Sequence, residues 1–507
     1  MPDTADAHPH AQPPPVPVPV PVPVLDLGQR QRWWTLLLLC LAQFMVILDV
    51  TVVNVALPTI GTDLHLDQAA LPWVVTAYTL CFGGLMLLGG RLADALGRRR
   101  TFLAGLGLFT AASLVSGLAQ GATMLIAARA GQGVGAALLS PSALAIITTT
   151  FSGAERNRAL GVWAALAGAG AAVGVLASGV LTEYASWRWV FFINLPVGAV
   201  VAAAVPVVVG VARPPRPARR RRVDLPGALT VTLAPGLVIY GLVTAGSAGW
   251  SAAATLVPLV AGLAVAGIFV AIERAAQEPL VPLRMLTRRP LVAGQLVFLT
   301  ASGLLVAAFL LSSLYLQRVL GVTALATGVT FLPVALAVIA GSHLGARAVG
   351  QLGGRPVAAA GFGLATAAAL LLSRVPAHGH VLVDLLPGLV LAALGLGALF
   401  VTAATSAMAN VDHAQAGLTS GLLNICHELG ASLGVAFASA IAGASFSGVT
   451  AAAAAAGAVA DQPSVSGFDH AFLACAVVAA VLAGVAPRLL PAGRPAASAS
   501  DGPLFVH

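Results

Sequence analysis

The chain has 507 residues, 58% of them hydrophobic and 9% charged, with a mean hydropathy of +0.94. These values exclude an ordinary soluble domain and indicate an all-α polytopic membrane protein. All 26 basic residues are arginine and the net charge is +8; they sit in short segments between apolar runs, where arginine sets membrane orientation, so no nucleic-acid partner is expected.

Residues 1–33 open the chain as a tail containing "PPPVPVPVPVPV", which reads as extended polyproline-type structure on the cytoplasmic side. It has neither the basic start nor the cleavage site of a secretory signal. A membrane helix needs about 20 apolar residues, and fourteen such stretches follow, the first at 34–60 and the last at 469–489. Six fill an N-terminal bundle at 34–211, an Arg-rich linker follows at 212–225, and two extra spans occupy 226–272. A loop at 273–290, a C-terminal six-helix bundle at 291–489 and a tail at 490–507 complete the layout. With the N-terminus in the cytoplasm, 22 arginines fall on that side and three, Arg188, Arg318 and Arg374, on the other. That split agrees with the positive-inside rule and places both termini in the cytoplasm.

The halves carry traces of a repeat. "GAAVGVLAS" at Gly170–Ser178 resembles "GASLGVAFA" at Gly430–Ala438, and "GQGVGAAL" at Gly131–Leu138 resembles "ALGLGALF" at Ala393–Phe400. The offsets of 260 and 262 residues suit duplicated halves facing each other across a midplane site. Cys40, Cys81, Cys426 and Cys475 fall in apolar runs without CxxC spacing and read as packing residues.

Polar residues in the spans carry the functional reading, because an ionised side chain at the centre of a membrane helix costs about 2.5–3.5 kcal/mol or more. Asp49 interrupts "MVILDVTVVNVALPTI" in the first span, and Arg129 lies in the fourth. At 1.5 Å per residue both fall about 10–15 Å below the outer surface, a shared level within one bundle. Arg129 either snorkels to the interface or serves Asp49. "GRLADALGRRRTF", Gly90–Phe102, joins the second and third spans. There Gly90 and Gly97 allow close approach of two helix ends, Asp94 can cap or pair across the half-interface, and Arg98, Arg99 and Arg100 hold the loop inside. "GAAVGVLASG", Gly170–Gly179, sets Gly170, Gly174 and Ser178 on one face at the spacing of closely packed membrane helices. "NICHELGASLG" places His427 and Glu428 about ten residues into the thirteenth span. Glu428 reads as a second proton carrier or an attractor of cations, or else as half of a satisfied polar pair with His427. Gln43, Asn54, Trp73, Tyr78 and Gln132 could line a substrate cavity or simply join helices. The tract 450–467 reads as a mobile outer loop.

"GRLADALGRRRTF" resembles the signature loop of the major facilitator superfamily. "LDVTVVNVALP", "RAGQGVGAA", "GAAVGVLASG" and "SWRWVFFINLPVG" are similar to the successive motifs of its fourteen-span drug:proton antiporter family. The resemblance implies two six-helix bundles with two additional central helices and alternating access between them. It further implies export of small amphipathic or cationic compounds in exchange for protons, with Arg129 at a position implicated in proton transfer and Gly170, Gly174 and Gly179 in the antiporter motif. Val175 and Ser178 stand where that motif has proline and glycine.

No P-loop, no nucleophile beside a base and no cluster of metal ligands is evident, so no enzymatic activity, metal or cofactor is expected, and an ion gradient is the drive. The expected reading is a proton-coupled antiporter in the cytoplasmic membrane, monomeric, with a small-molecule substrate, protons and the lipid bilayer as partners. A transporter of a metabolite, amino acid or lipid in the same fold, and a non-transporting membrane sensor, are the alternatives.

Overall fold

The computed structural model describes residues 28–67, 70–209, 224–276, 279–281, 283–409, 411, 416–455 and 465–491. Most of the N-terminal tail, the Arg-rich linker, part of the loop at 450–467 and most of the C-terminal tail lie outside the described residues. The described secondary structure is helical, without strands. A chain in hydrocarbon must pair every backbone polar group internally, and a helix does so within one segment.

The N-terminal half comprises α1 (Gln29–Asp63), α2 (Trp73–Leu96), α3 (Arg98–Gly117), α4 (Ala122–Thr150), α5 (Gly153–Tyr184) and a sixth span broken into α6 (Trp189–Phe192) and α7 (Asn194–Val208). The added hairpin is α8 (Leu225–Ala248) and α9 (Ala253–Ala275). After the one-turn α10 (Leu283–Leu286), the C-terminal half comprises α11 (Arg289–Leu314), α12 (Ala324–Leu352), α13 (Gly354–Leu372), α14 (Leu386–Met408), α15 (Ala416–Ala455) and α16 (Ser466–Leu489). Among the described residues thirteen segments are long and apolar enough to span a membrane; the helix at the fourteenth expected position, α5, is 32 residues long and contributes a shorter apolar stretch, Ala172–Tyr184. Several helix ends extend beyond the expected spans. α1 begins at Gln29 rather than 34, and α15 runs to Ala455, through part of the tract expected to be loop, because an alanine run favours helix.

The halves repeat one packing scheme. α4 packs against α2 and α3, and α5 against α1; correspondingly α14 packs against α12 and α13, and α15 against α11. Between the halves, α2 meets α15 and α5 meets α12, so the second and fifth spans of each half exchange partners, with α1 touching α11. α8 seals one side of this seam by packing on both α2 and α15. α9 lies outside it, with Val257, Val260 and Leu263 exposed as lipid-facing side chains would be.

Backbone approaches within and between halves require small residues. A Cβ on Gly179 would sit 2.8 Å from Leu325 Cα of α12, and one on Gly328 would sit 2.8 Å from the Val175 carbonyl of α5. Gly174 packs on Thr51 and Gly170 on Ile47 of α1, while the Ser178 hydroxyl donates to the Val52 carbonyl at 2.5 Å. The α1–α11 contact follows from Pro58. Proline has no N–H, so the Asn54 carbonyl loses its helical donor. Ser313 Oγ donates to that carbonyl at 3.1 Å, and Gln317 Nε2, on a π-helical turn at Tyr315–Val319, donates to Val55 O at 2.9 Å.

The loop Gly90–Phe102 is a stitched turn. Gly97, at φ 98°, takes a left-handed conformation open to glycine, and the next residue starts α3. Arg98 donates to Ala145 O of α4 at 3.2 Å, Arg99 to Pro206 O of α7 at 2.9 Å, and Arg91 to Pro279 O, ahead of α11, at 2.6 Å. Asp94 is half-exposed and pairs with Arg98 one turn on at 3.7 Å, not across the half-interface as expected. Gly90 is likewise not the point of closest approach: its Cβ position is 3.9 Å from Pro141, whereas a Cβ on the neighbouring Gly89 would overlap the Ala137 carbonyl. Gly89→Ala should therefore lower stability by about 1–3 kcal/mol through overpacking, while Gly90→Ala should be neutral or slightly stabilising; thermal unfolding of the purified variants in detergent compares them.

Candidate functional site

Asp49 sits near the middle of α1, with fourteen residues of the helix beyond it, deeper than expected from the sequence. Its carboxylate faces inward, toward the centre of the N-terminal half. Arg129 Nη1 donates to Asp49 Oδ2 at 2.5 Å, and the two side chains are 1% and 0% exposed. Gln132 Nε2 and Asn194 Nδ2 each donate to Asp49 Oδ1 at 2.9 Å. Arg129 spends its other contacts on Val74 O at 2.9 Å, Gln132 Oε1 at 2.9 Å and the face of the Tyr78 ring, 4.3 Å from its centroid. Ser116 Oγ donates to Gln132 Oε1 at 3.1 Å, and Asn194 Nδ2 also reaches Ser113 Oγ at 3.0 Å. The network thus joins α1, α2, α3, α4 and α7. A buried ion pair is tolerated when its remaining lone pairs and protons are satisfied, and here three separate donors hold the carboxylate. Arg129 does not snorkel.

Local sequence explains why these residues converge. Arg129 and Gln132 are three apart on α4 and so share a face, the face that meets α1. Asn194 begins α7 at the break in the sixth span, where its side chain leaves the wall and enters the bundle. Asn194, Ser113 and Ser116 were not expected at the site. Asn194 is a lone amide in the apolar run "WVFFINLPVG" and could have been noticed on that ground; the two serines carry no such signal.

Tyr78 and Gln132, expected at a cavity wall, are fully buried inside this network. Trp73 faces the added hairpin, its ring 6.3 Å from that of Tyr240 on α8. Asn54 turns back on its own helix, donating to Val50 O at 3.2 Å. Gln43 is half-buried, with Oε1 unpartnered among the described residues.

Glu428 belongs to a different site. It lies on α15 at the seam between halves, where Gly83 of α2 leaves room: a Cβ on Gly83 would be 2.7 Å from Glu428 Cβ. One turn further on, Thr79 and Ser432 share a 2.5 Å hydrogen bond across the seam. Glu428 is 8% exposed; among the described residues its backbone carbonyl accepts from Ser432 Oγ at 3.1 Å, and its carboxylate enters no ion pair or hydrogen bond. His427, its neighbour, points away toward α11 and α14, so the two do not form a satisfied pair; Phe298 and Phe400 lie edge-on to its ring at 5.8 and 5.9 Å.

Two similarly built helical halves, joined at a seam and holding ionisable groups at mid-depth, define a membrane transporter of the two-bundle class. The chain belongs to the Major Facilitator Superfamily, whose profile matches residues 39–435. It is 38% identical to the puromycin resistance protein of Streptomyces alboniger over 94% of both chains, and 38% identical to the cephamycin export protein of Amycolatopsis lactamdurans over 93% of this chain and 94% of that one. The lincomycin resistance protein of Streptomyces lincolnensis is 37% identical over 80% of this chain and 84% of its own. In fold it is similar to a bacterial homolog of the human lysosomal transporter Spinster (TM-score 0.65, 18% identity, 91% of this chain and 98% of that one). An auto-inhibited peptide transporter of the POT family is also similar (TM-score 0.63, 17% identity, 93% and 99%). The protein is a multi-pass membrane transporter of small molecules, related to drug and antibiotic efflux transporters, and not an enzyme.

Asp49→Asn and Arg129→Ala should each destabilise the protein by about 3–5 kcal/mol, since each leaves a buried group without its partner. The double variant Asp49→Asn/Arg129→Ala should cost less than the sum of the singles. Glu428→Gln breaks no contact and should leave the melting temperature nearly unchanged. Thermal unfolding of the four variants beside wild type is the measurement.

Proposed function

We propose that this transporter is a proton-coupled antiporter that exports small amphipathic or cationic compounds, antibiotics among them, across the cytoplasmic membrane. The export reading is supported by the relatives whose names record puromycin and lincomycin resistance and cephamycin export, the first and last matched over nearly the full length of both chains. The arginine split supports an orientation in which the face where α1 begins, with both termini, is cytoplasmic. The working unit is a monomer without cofactor, built as six, two and six spans.

One observation carries the coupling: Glu428 is a buried residue at the seam between halves, and no ion pair among the described residues balances its carboxylate. Protonation removes that charge, and a carboxylate there is exposed to a different environment whenever the halves rock. A cationic substrate can discharge it instead, so substrate and proton compete for one group. Asp49, by contrast, is held by three donors that stay together within one half. It and Arg129 keep the N-terminal half rigid and take part in proton movement only when that network opens. The drive amounts to about 1.4 kcal/mol per proton per pH unit, plus about 2.3 kcal/mol per net charge moved per 100 mV.

Ethidium or puromycin uptake into inverted vesicles under an imposed pH gradient tests this. Wild type should accumulate the compound and lose it on addition of a protonophore; Glu428→Gln should lose gradient-driven uptake while still exchanging labelled substrate. Uptake in wild type that ignores the gradient removes the antiport reading, and full coupling in Glu428→Gln removes Glu428 from it.

A further inference from the structure

Three aromatic rings meet in the C-terminal half, each from a different helix: Phe298 of α11, Phe400 of α14 and His427 of α15. Phe298 and Phe400 have centroids 5.1 Å apart at 57°, and His427 stands 5.8 Å from Phe298 at 73° and 5.9 Å from Phe400 at 64°. Although deep within their helices, all three are only partly buried. The imidazole is held by packing and by its backbone: Ser302 Oγ donates to the His427 carbonyl at 2.7 Å, yet neither ring nitrogen is hydrogen-bonded among the described residues, and Nδ1 is buried without a partner. Buried polar atoms in a settled core are paired as a rule.

The direction in which the cluster opens follows from the faces of α15. Gly430 and Gly434 lie against Leu299 and Gly303 of α11, and Glu428 lies against Gly83 of α2. At 3.6 residues per turn, Asn424 and His427 fall between those two faces, and so toward the space between the halves rather than toward lipid. Asn424 is exposed there, one turn from His427. An exposed amide, a part-exposed aromatic cluster and the unpaired Glu428 therefore border the same interior space.

We propose that Phe298, Phe400 and His427 form an aromatic subsite that selects substrates carrying a planar aromatic ring over aliphatic ones of the same charge. Ring edges and faces in T-shaped or offset contact attract through their quadrupoles, and a ring bearing positive charge gains further from the phenylalanine faces. An aliphatic cation finds the same carboxylate nearby but no ring partner. The subsite rests on the export reading for its ligand, but not on proton coupling.

Equilibrium binding of ethidium, a planar aromatic cation, and of tetrabutylammonium, an aliphatic one, to the purified full-length protein in nanodiscs tests the subsite. Phe298→Leu and Phe400→Leu keep apolar volume without the ring. Each should weaken ethidium binding by about tenfold and tetrabutylammonium by less than about twofold, with Phe298→Tyr restoring most of the loss. Equal weakening of both probes, no weakening of either, or wild-type protein that binds tetrabutylammonium as tightly as ethidium overturns the subsite. Should the binding pattern hold while vesicle uptake proves independent of the pH gradient, the subsite stands and the antiport reading falls.

Discussion

The pairing of Asp49 with Arg129 is the constraint on which the N-terminal half depends. Neither charge is tolerable alone in a membrane interior, and each requires the other within hydrogen-bond distance. The carboxylate also takes amides from α4 and α7, and the guanidinium takes a carbonyl and a ring face from α2. Five helices are thereby tied to one point. In the proposed antiporter that rigidity would matter, because a half that deforms internally cannot transmit movement at the seam to its far end.

The seam is built from the opposite material. Gly179 and Gly328 bring α5 and α12 backbones together, Gly83 makes room for Glu428, and a few hydrogen bonds, Thr79 to Ser432 and Ser313 to the carbonyl freed by Pro58, cross between halves. Small residues and single hydrogen bonds give close contact that can be parted and remade, since without a hydrophobic drive between membrane helices the contact rests on packing. Among the described residues the unpaired carboxylate of Glu428 lies at this seam and the paired Asp49 inside the N-terminal half. The contrast separates a group that can respond to movement from one that resists it.

Much of the architecture was legible in the chain because the bilayer imposes a length and an arginine bias on every span. Fourteen apolar stretches, the glycine spacing in α5 and the match of Asp49 with Arg129 in depth all follow from one-dimensional rules. Those rules fail where contacts depend on rotation about a helix axis. Gly89 rather than Gly90 makes the tight approach, Asp94 pairs within its own turn, and Tyr78 and Gln132 face into the bundle instead of a cavity. Nearly continuous apolar sequence around each helix leaves too little contrast between faces to predict that rotation.

What the sequence by itself determined is the solvent of the protein, the number of its spans and the presence of three ionisable residues too costly to be there by accident. What only the tertiary structure decided is which of them are balanced. Asn194, 145 residues from Asp49, completes the carboxylate's shell, and nothing among the described residues does so for Glu428. The physical reason is that the energy of a buried charge depends on what lies within a few ångströms of it in space. That proximity is set by the packing of helices distant in the chain.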